Sequence, residues 1–140
     1  MTQIQHELKI RAPRSRVFEA LTDRAALERW QGAKVKETER EWRFEYPDAT
    51  VFRWKVTESN PARVAWQCVE GPAQAPGKEA SFSLSEMGDK RTLVEFAHTG
   101  WQGTGGNHRK CNTRWAILLH RLQQEVEAPA VSKDKTRRRP

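Results

Sequence analysis

The sequence predicts one α+β domain, a curved antiparallel sheet of about seven strands wrapped on a long C-terminal helix, with two short helices after strand 1. Three observations carry this expectation. Apolar residues alternate with polar ones in seven separate runs, the period of half-buried strands. Stretches with helical spacing occur only twice after the first run and once, at length, after the last. Breaks rich in Pro, Gly, Asn and Asp separate the runs at hairpin intervals.

The first strand is read from Ile4, His6, Leu8 and Ile10 alternating with Gln5, Glu7 and Lys9. Pro13 or Ser15 can open the first helix, in which Val17, Phe18 and Leu21 share a face. Asp23 can cap the second helix, which carries Ala26, Leu27 and Trp30. Strands follow near 33–38, 41–46, 50–58, 63–69, 78–85 and 92–99. The last helix runs from about 107 to 127, with Asn107 as its expected cap and Pro129 as its stop. Its apolar stripe is Cys111, Trp115, Leu118, Leu122 and Val126, with Leu119 alongside.

Trp30, Trp42, Trp54 and Trp66 stand twelve residues apart, yet their flanks ERWQG, REWRF, FRWKV and VAWQC share nothing else. The spacing is therefore a meander pitch and not an internal repeat. A three-residue loop at Pro47-Asp48-Ala49 places Trp42 opposite Trp54 and Phe44 opposite Phe52. A similar loop at Ser59-Asn60-Pro61 would place Trp54 opposite Trp66, Val56 opposite Val64 and Phe52 opposite Cys68. Pairing of Ala80, Phe82 and Leu84 with His98, Phe96 and Val94 then completes a row Trp42–Trp54–Trp66–Phe82–Phe96 on the buried face. His98 is expected level with Ala80, Cys68, Phe52 and Phe44, toward one end of that face, with His6 toward the same end.

Composition narrows the function. No apolar window is long enough to span a membrane, and MTQIQHELKIRAPR contains no signal-peptide core. Two cysteines are too few for a disulfide framework, so a cytoplasmic location with reduced thiols is expected. The net charge is +7, but residues 129–140 hold five cations and one anion, so the body carries about +3. The chain thus divides into a domain over 1–128 and a basic, disordered tail over 129–140. Nucleic acid is expected to bind only weakly, through that tail.

The stretch HTGWQGTGGNHRKCNTRW (98–115) gathers the residues with chemical potential. His98, His108 and Cys111 have no CxxC or HxxxH partner, so no metal and no cofactor is expected. GTGG lacks the Gly-Lys-Ser/Thr ending of a phosphate loop. Cys68 and His98 fall two strands apart, too far for a nucleophile and its base. No catalytic set is assigned; His98 is the single candidate general acid or base, without a second group beside it. Arg109 and Lys110, in the first turn of the last helix, are candidate anion-binding residues at a cavity mouth.

The order of elements, with IRAPRSRVFEALTDRAALERW, WKVTESNPARVAWQCVEGP, TLVEFAHTGW and CNTRWAILLHRLQ, resembles the helix-grip fold of the START-like (SRPBCC) superfamily. Within it the chain is most similar to the branch named for the activator of heat-shock-protein-90 ATPase. The resemblance covers about residues 3 to 127 and implies a cavity between helix and sheet for an apolar or amphipathic small molecule. Its wall would draw on Phe44, Phe52, Trp54, Trp66, Phe82, Phe96, His98, Trp115, Leu118 and Leu122, with the 100–107 loop and Trp101 as a lid. The resemblance also implies two other roles: a cyclase- or hydrolase-type enzyme using His98, and a module that meets a chaperone or other protein. Chaperone activation in the eukaryotic member goes with an additional N-terminal domain, and this chain begins at the first strand, so that activity is not expected to carry over.

Overall fold

The structure is a computed structural model and describes residues 2–72, 75–101 and 106–128. The expected tail, 129–140, lies outside the described residues. The elements run β1 (Thr2–Ile10), α1 (Arg14–Thr22), α2 (Arg24–Gln31), β2 (Lys34–Thr38), β3 (Glu41–Glu45), β4 (Val51–Asn60), β5 (Arg63–Glu70), β6 (Glu79–Glu86), β7 (Thr92–Trp101) and α3 (Gly106–Glu127). All seven strands form one antiparallel sheet in the order β1-β7-β6-β5-β4-β3-β2. The first strand thus returns beside the last, and β2 forms the far edge. This is the expected α+β helix-grip arrangement.

Local chemistry explains the helix ends. Pro13 precedes α1 in an extended conformation, which its ring favours. The Asp23 carboxylate accepts from the Ala26 N–H at 2.9 Å and so caps α2. Gly32 ends α2 at φ 69°, a left-handed position that suits glycine. α3 begins at Gly106, so Asn107 lies within its first turn and is not the preceding cap.

The β3–β4 hairpin has the expected register, with Trp42 opposite Trp54 and Phe44 opposite Phe52. The β4–β5 hairpin does not: Trp54 faces Cys68, Val56 faces Trp66, and Ser59 faces Val64. The cause is local. Asn60 Oδ1 accepts from the N–H groups of both Ala62 and Arg63 at 2.9 Å, closing a two-residue Pro61-Ala62 turn. A bulge between Val56 and Glu58 then absorbs one residue. Together these displace the pairing by three places next to the turn and by two at Val56 and Trp54, where the even slide leaves the apolar side chains on their expected face. The β5–β6 pairing is displaced by two places as well, with Trp66 facing Ala80 and Val64 facing Phe82. Beyond that the β6–β7 pairs Ala80–His98, Phe82–Phe96 and Leu84–Val94 are as expected.

The tryptophan ladder therefore holds diagonally. Trp54 and Trp66 lie 5.9 Å apart between ring centres, and Trp66 and Phe82 lie 5.3 Å apart. Trp30, Phe44, Trp66, Phe82 and Phe96 are each at most 2% exposed and form the centre of the core. The outer face is laced with ion pairs, among them Arg53 with Glu41 and Glu70, and Arg43 with Glu45. Among the described residues, no helix is long and apolar enough to cross a membrane.

Candidate functional site

α3 closes the inner face of the sheet chiefly through Trp115. Its ring lies 4.5 Å from Phe96, 5.7 Å from His98, 6.2 Å from Trp54 and 6.3 Å from Phe82. One side chain thus spans three strands. Beneath it remains a void of about 20 Å³, lined in part by Phe52, Trp54, His98, Trp115 and Leu118. Such a space suits about one water, whereas ligand sites run to several hundred Å³. Phe44, Trp66, Phe82, Phe96 and Leu122, also expected on a cavity wall, pack against their neighbours and do not line this void. Among the described residues, the cavity that the resemblance implies between helix and sheet is thus reduced to this void, with Trp115 packed into the space.

His98 lies where the β6–β7 register puts it, 4% exposed on the inner face. Trp101 Nε1–H donates to its Nδ1 at 3.3 Å. Burial pushes the imidazole down to about 4 from its ordinary 6.5, and the charges of Lys78 and His108 act in the same direction. His98 is therefore neutral at physiological pH and a weak proton acceptor. Trp101, expected in the lid, is instead the last residue of β7. It is 4% exposed and packs on His98 and His108, with Lys78 Nζ 4.4 Å over its ring. Residues 102–105 of the expected lid lie outside the described residues. His6 is half-buried, 6.3 Å from Phe96 between ring centres.

Neither thiol is activated. Burial raises Cys68 to about 11 and raises Cys111 as well, the reverse of what a nucleophilic cysteine requires. Trp66, and not Cys68, is level with Ala80 and His98. Among the described residues, no three of His, Cys, Asp and Glu gather as a metal site would need.

The space that α3 leaves open is on its other flank. A trough of about 780 Å³ runs between the end of α2, the β3–β4 hairpin and α3. Gln31 and Gly32 form one wall, Tyr46 and Pro47 a second, and residues 109–121 of α3 the third. The Tyr46 hydroxyl donates to Gln31 Oε1, tying the two walls together. Burial raises the Tyr46 phenol above its ordinary value, so it stays protonated. The Arg114 guanidinium sits 4.5 Å from the Tyr46 ring centre and 5.2 Å from that of Phe52. Arg121 Nη2 donates to the Arg29 carbonyl at 3.0 Å. Ile117 is 57% exposed at the trough.

Both sequence-derived anion candidates, Arg109 and Lys110, line this trough. Arg114, Arg121, Gln31 and Tyr46 join them there and were not anticipated. A signal was present for part of this set: Lys110, Arg114, Ile117 and Arg121 follow one another by four, three and four residues, one stripe of a helix. Gln31, Tyr46, Arg114 and Leu118 border both the trough and the inner void, so the two are separated by side chains alone.

This architecture recurs widely among known structures. The chain aligns with the Aha1 dimer from Colwellia psychrerythraea at TM-score 0.81 and 28% identity, covering 91% of this chain and 97% of that one. It aligns with protein MLL2253 from Mesorhizobium loti at 0.76 and 16%, covering 90% and 97%. A third match is EF2215 from Enterococcus faecalis, a conserved protein of unknown function, at 0.71 and 23%, covering 91% and 72%. A sequence comparison with curated proteins returned no match. Residues 11–127, from the end of β1 to the last turn of α3, match the family described as activator of Hsp90 ATPase homolog 1-like protein, and the chain belongs to that family.

Proposed function

We propose that this domain binds a small amphipathic molecule, seated in the trough beside α3 rather than in an enclosed cavity. The observation that carries the reading is the trough itself. Its volume of about 780 Å³ is in the range of small-molecule sites, and it sets an exposed Ile117 among polar side chains. The four side chains shared with the inner void give a bound molecule a path inward if Tyr46 or Arg114 turns aside. Native mass spectrometry of freshly expressed protein is expected to retain a small organic molecule. Ile117→Ser should lose it while unfolding within about 0.5 kcal/mol of the parent, as an exposed site does. A bare protein that also binds no member of a panel of amphiphiles would sink the reading.

A second reading, contact with another protein, is supported by the family's name and by the same exposed Ile117. Chaperone pull-down and light scattering measure it directly.

A further inference from the structure

We propose that the trough selects a monomeric organic anion, a carboxylate carried on an apolar body, and that Arg114 and Arg121 hold its head group; this rests on the reading that the trough is the ligand site. Four cations line the trough, Arg109, Lys110, Arg114 and Arg121, and no carboxylate does. Among the described residues, Lys110, Arg114 and Arg121 form no ion pair with an acidic side chain. Asp48 acts on Arg114 only through space, without an ion pair, and the acids on the neighbouring elements have partners of their own. Asp48 accepts from the Thr50 N–H at 2.9 Å, Glu28 from the Val35 N–H at 2.9 Å, and Glu125 pairs with Arg29 at 2.8 Å.

Helix physics makes this arrangement costly when empty. The first turn of α3 carries no acidic residue, and because α3 begins at Gly106, Arg109 closes that turn while Lys110, expected in it, opens the next. Lys110 and Arg114 are like charges four residues apart, a destabilising spacing. An anion held at Arg114 relieves the second of these terms. Guanidinium groups match a planar carboxylate with two parallel hydrogen bonds, which lysines cannot do. Ile117 lies between Arg114 and Arg121 on the same stripe, so an apolar body attached to the head group has a surface to rest on. The charge is confined to this wall: Tyr46, Pro47 and Gln31 opposite are uncharged. The chemistry therefore fits a fatty or aromatic acid with one anionic end.

The probes are decanoate, decan-1-ol and decyltrimethylammonium, each kept below its micellar range and titrated into the full chain with tryptophan fluorescence as readout. Decanoate is expected to bind roughly tenfold more tightly than the alcohol, and the cation more weakly than either. The double variant Arg114→Gln with Arg121→Gln should reduce decanoate binding to that of the alcohol in the same variant. The double lysine variant, which keeps the charge without the fork, should recover only part of the loss. Equal affinity for decanoate and decanol, or an unchanged double variant, would overturn the head-group assignment while the trough remains a ligand site. Binding of none of the three overturns both. Retention of an acidic amphipathic peptide with no response to decanoate would also overturn it and give the trough to a protein partner.

Discussion

The two flanks of α3 have opposite surroundings. One carries Trp115, Leu118, Leu119, Leu122 and Val126, all buried. The other carries Lys110, Arg114, Ile117 and Arg121 along the open trough. On the first flank all five side chains belong to one buried apolar cluster, so stability accumulates there by burial. On the second, charge is concentrated beside an exposed apolar side chain, and exposed groups of this kind add little to folding. One helix thus separates a fold-determining face from an open one, which we propose serves recognition. Substitutions on the two flanks should fail in different assays.

The largest effect belongs to the buried flank. Trp115 touches β4, β6 and β7 through Trp54, Phe82, Phe96 and His98. Trp115→Ala should cost about 3–5 kcal/mol in equilibrium urea unfolding, combining lost transfer energy with the cavity left behind. A cost below about 1 kcal/mol would mean that α3 can collapse onto the sheet without it, and the contrast between the flanks would disappear.

This contrast was only partly legible in the sequence. The buried flank was, because period-two runs and the spacing of Trp115, Leu118 and Leu122 have few alternatives once one face must avoid water. The β4–β5 register was not, and the reason is parity. Alternation fixes which face Trp54 and Trp66 occupy, but a slide by two residues preserves every face. Only the Asn60 side chain and the Val56/Glu58 bulge decide between the two registers. The trough depended on still less local information. Lys110, Arg114 and Arg121 have helical spacing in the sequence, yet Gln31 and Tyr46 come from other elements and meet them only through tertiary packing. Nor does periodicity report volume, so the expected cavity wall gave no warning that Trp115 would fill the space it faces.

The next effect probes the buried flank through pH. His98 titrates near 4 when folded, against an ordinary 6.5, so the unfolded chain binds its proton more tightly. Because the folded value is depressed, acid favours unfolding. The contribution of His98 is fully present above pH 6.5, is lost as pH falls from 6.5 toward 4, and changes no further below 4. The span corresponds to about 3 kcal/mol. His98→Gln should remove this slope, seen as the difference between parent and variant urea midpoints at several pH values. The Arg114→Gln and Arg121→Gln pair should leave it intact, since guanidinium groups do not titrate in that window. A His98→Gln profile parallel to the parent's would mean that the imidazole is not desolvated as its 4% exposure implies.

The smallest effect tests whether the trough is positioned as well as charged. Gly32 ends α2 at φ 69°, and a Cβ added there would come within 3.0 Å of Arg121 Nη2. Gly32→Ala therefore carries two separable consequences. The left-handed backbone should cost about 1–2 kcal/mol of stability, since alanine is strained in that region. The clash is with the end of a long side chain, so the guanidinium should yield before the backbone does. Yielding breaks its hydrogen bond to the Arg29 carbonyl, now 3.0 Å. Anion binding should then weaken by a few-fold, less than in Arg121→Gln, because the charge is displaced and not removed. Combining Gly32→Ala with Arg121→Gln should retain the stability cost and add no further loss of binding, because the two changes act on one group. An additive loss of binding would instead show that the end of α2 contributes to the trough independently of Arg121, and the wall formed by Gln31 and Gly32 would be the part to examine next.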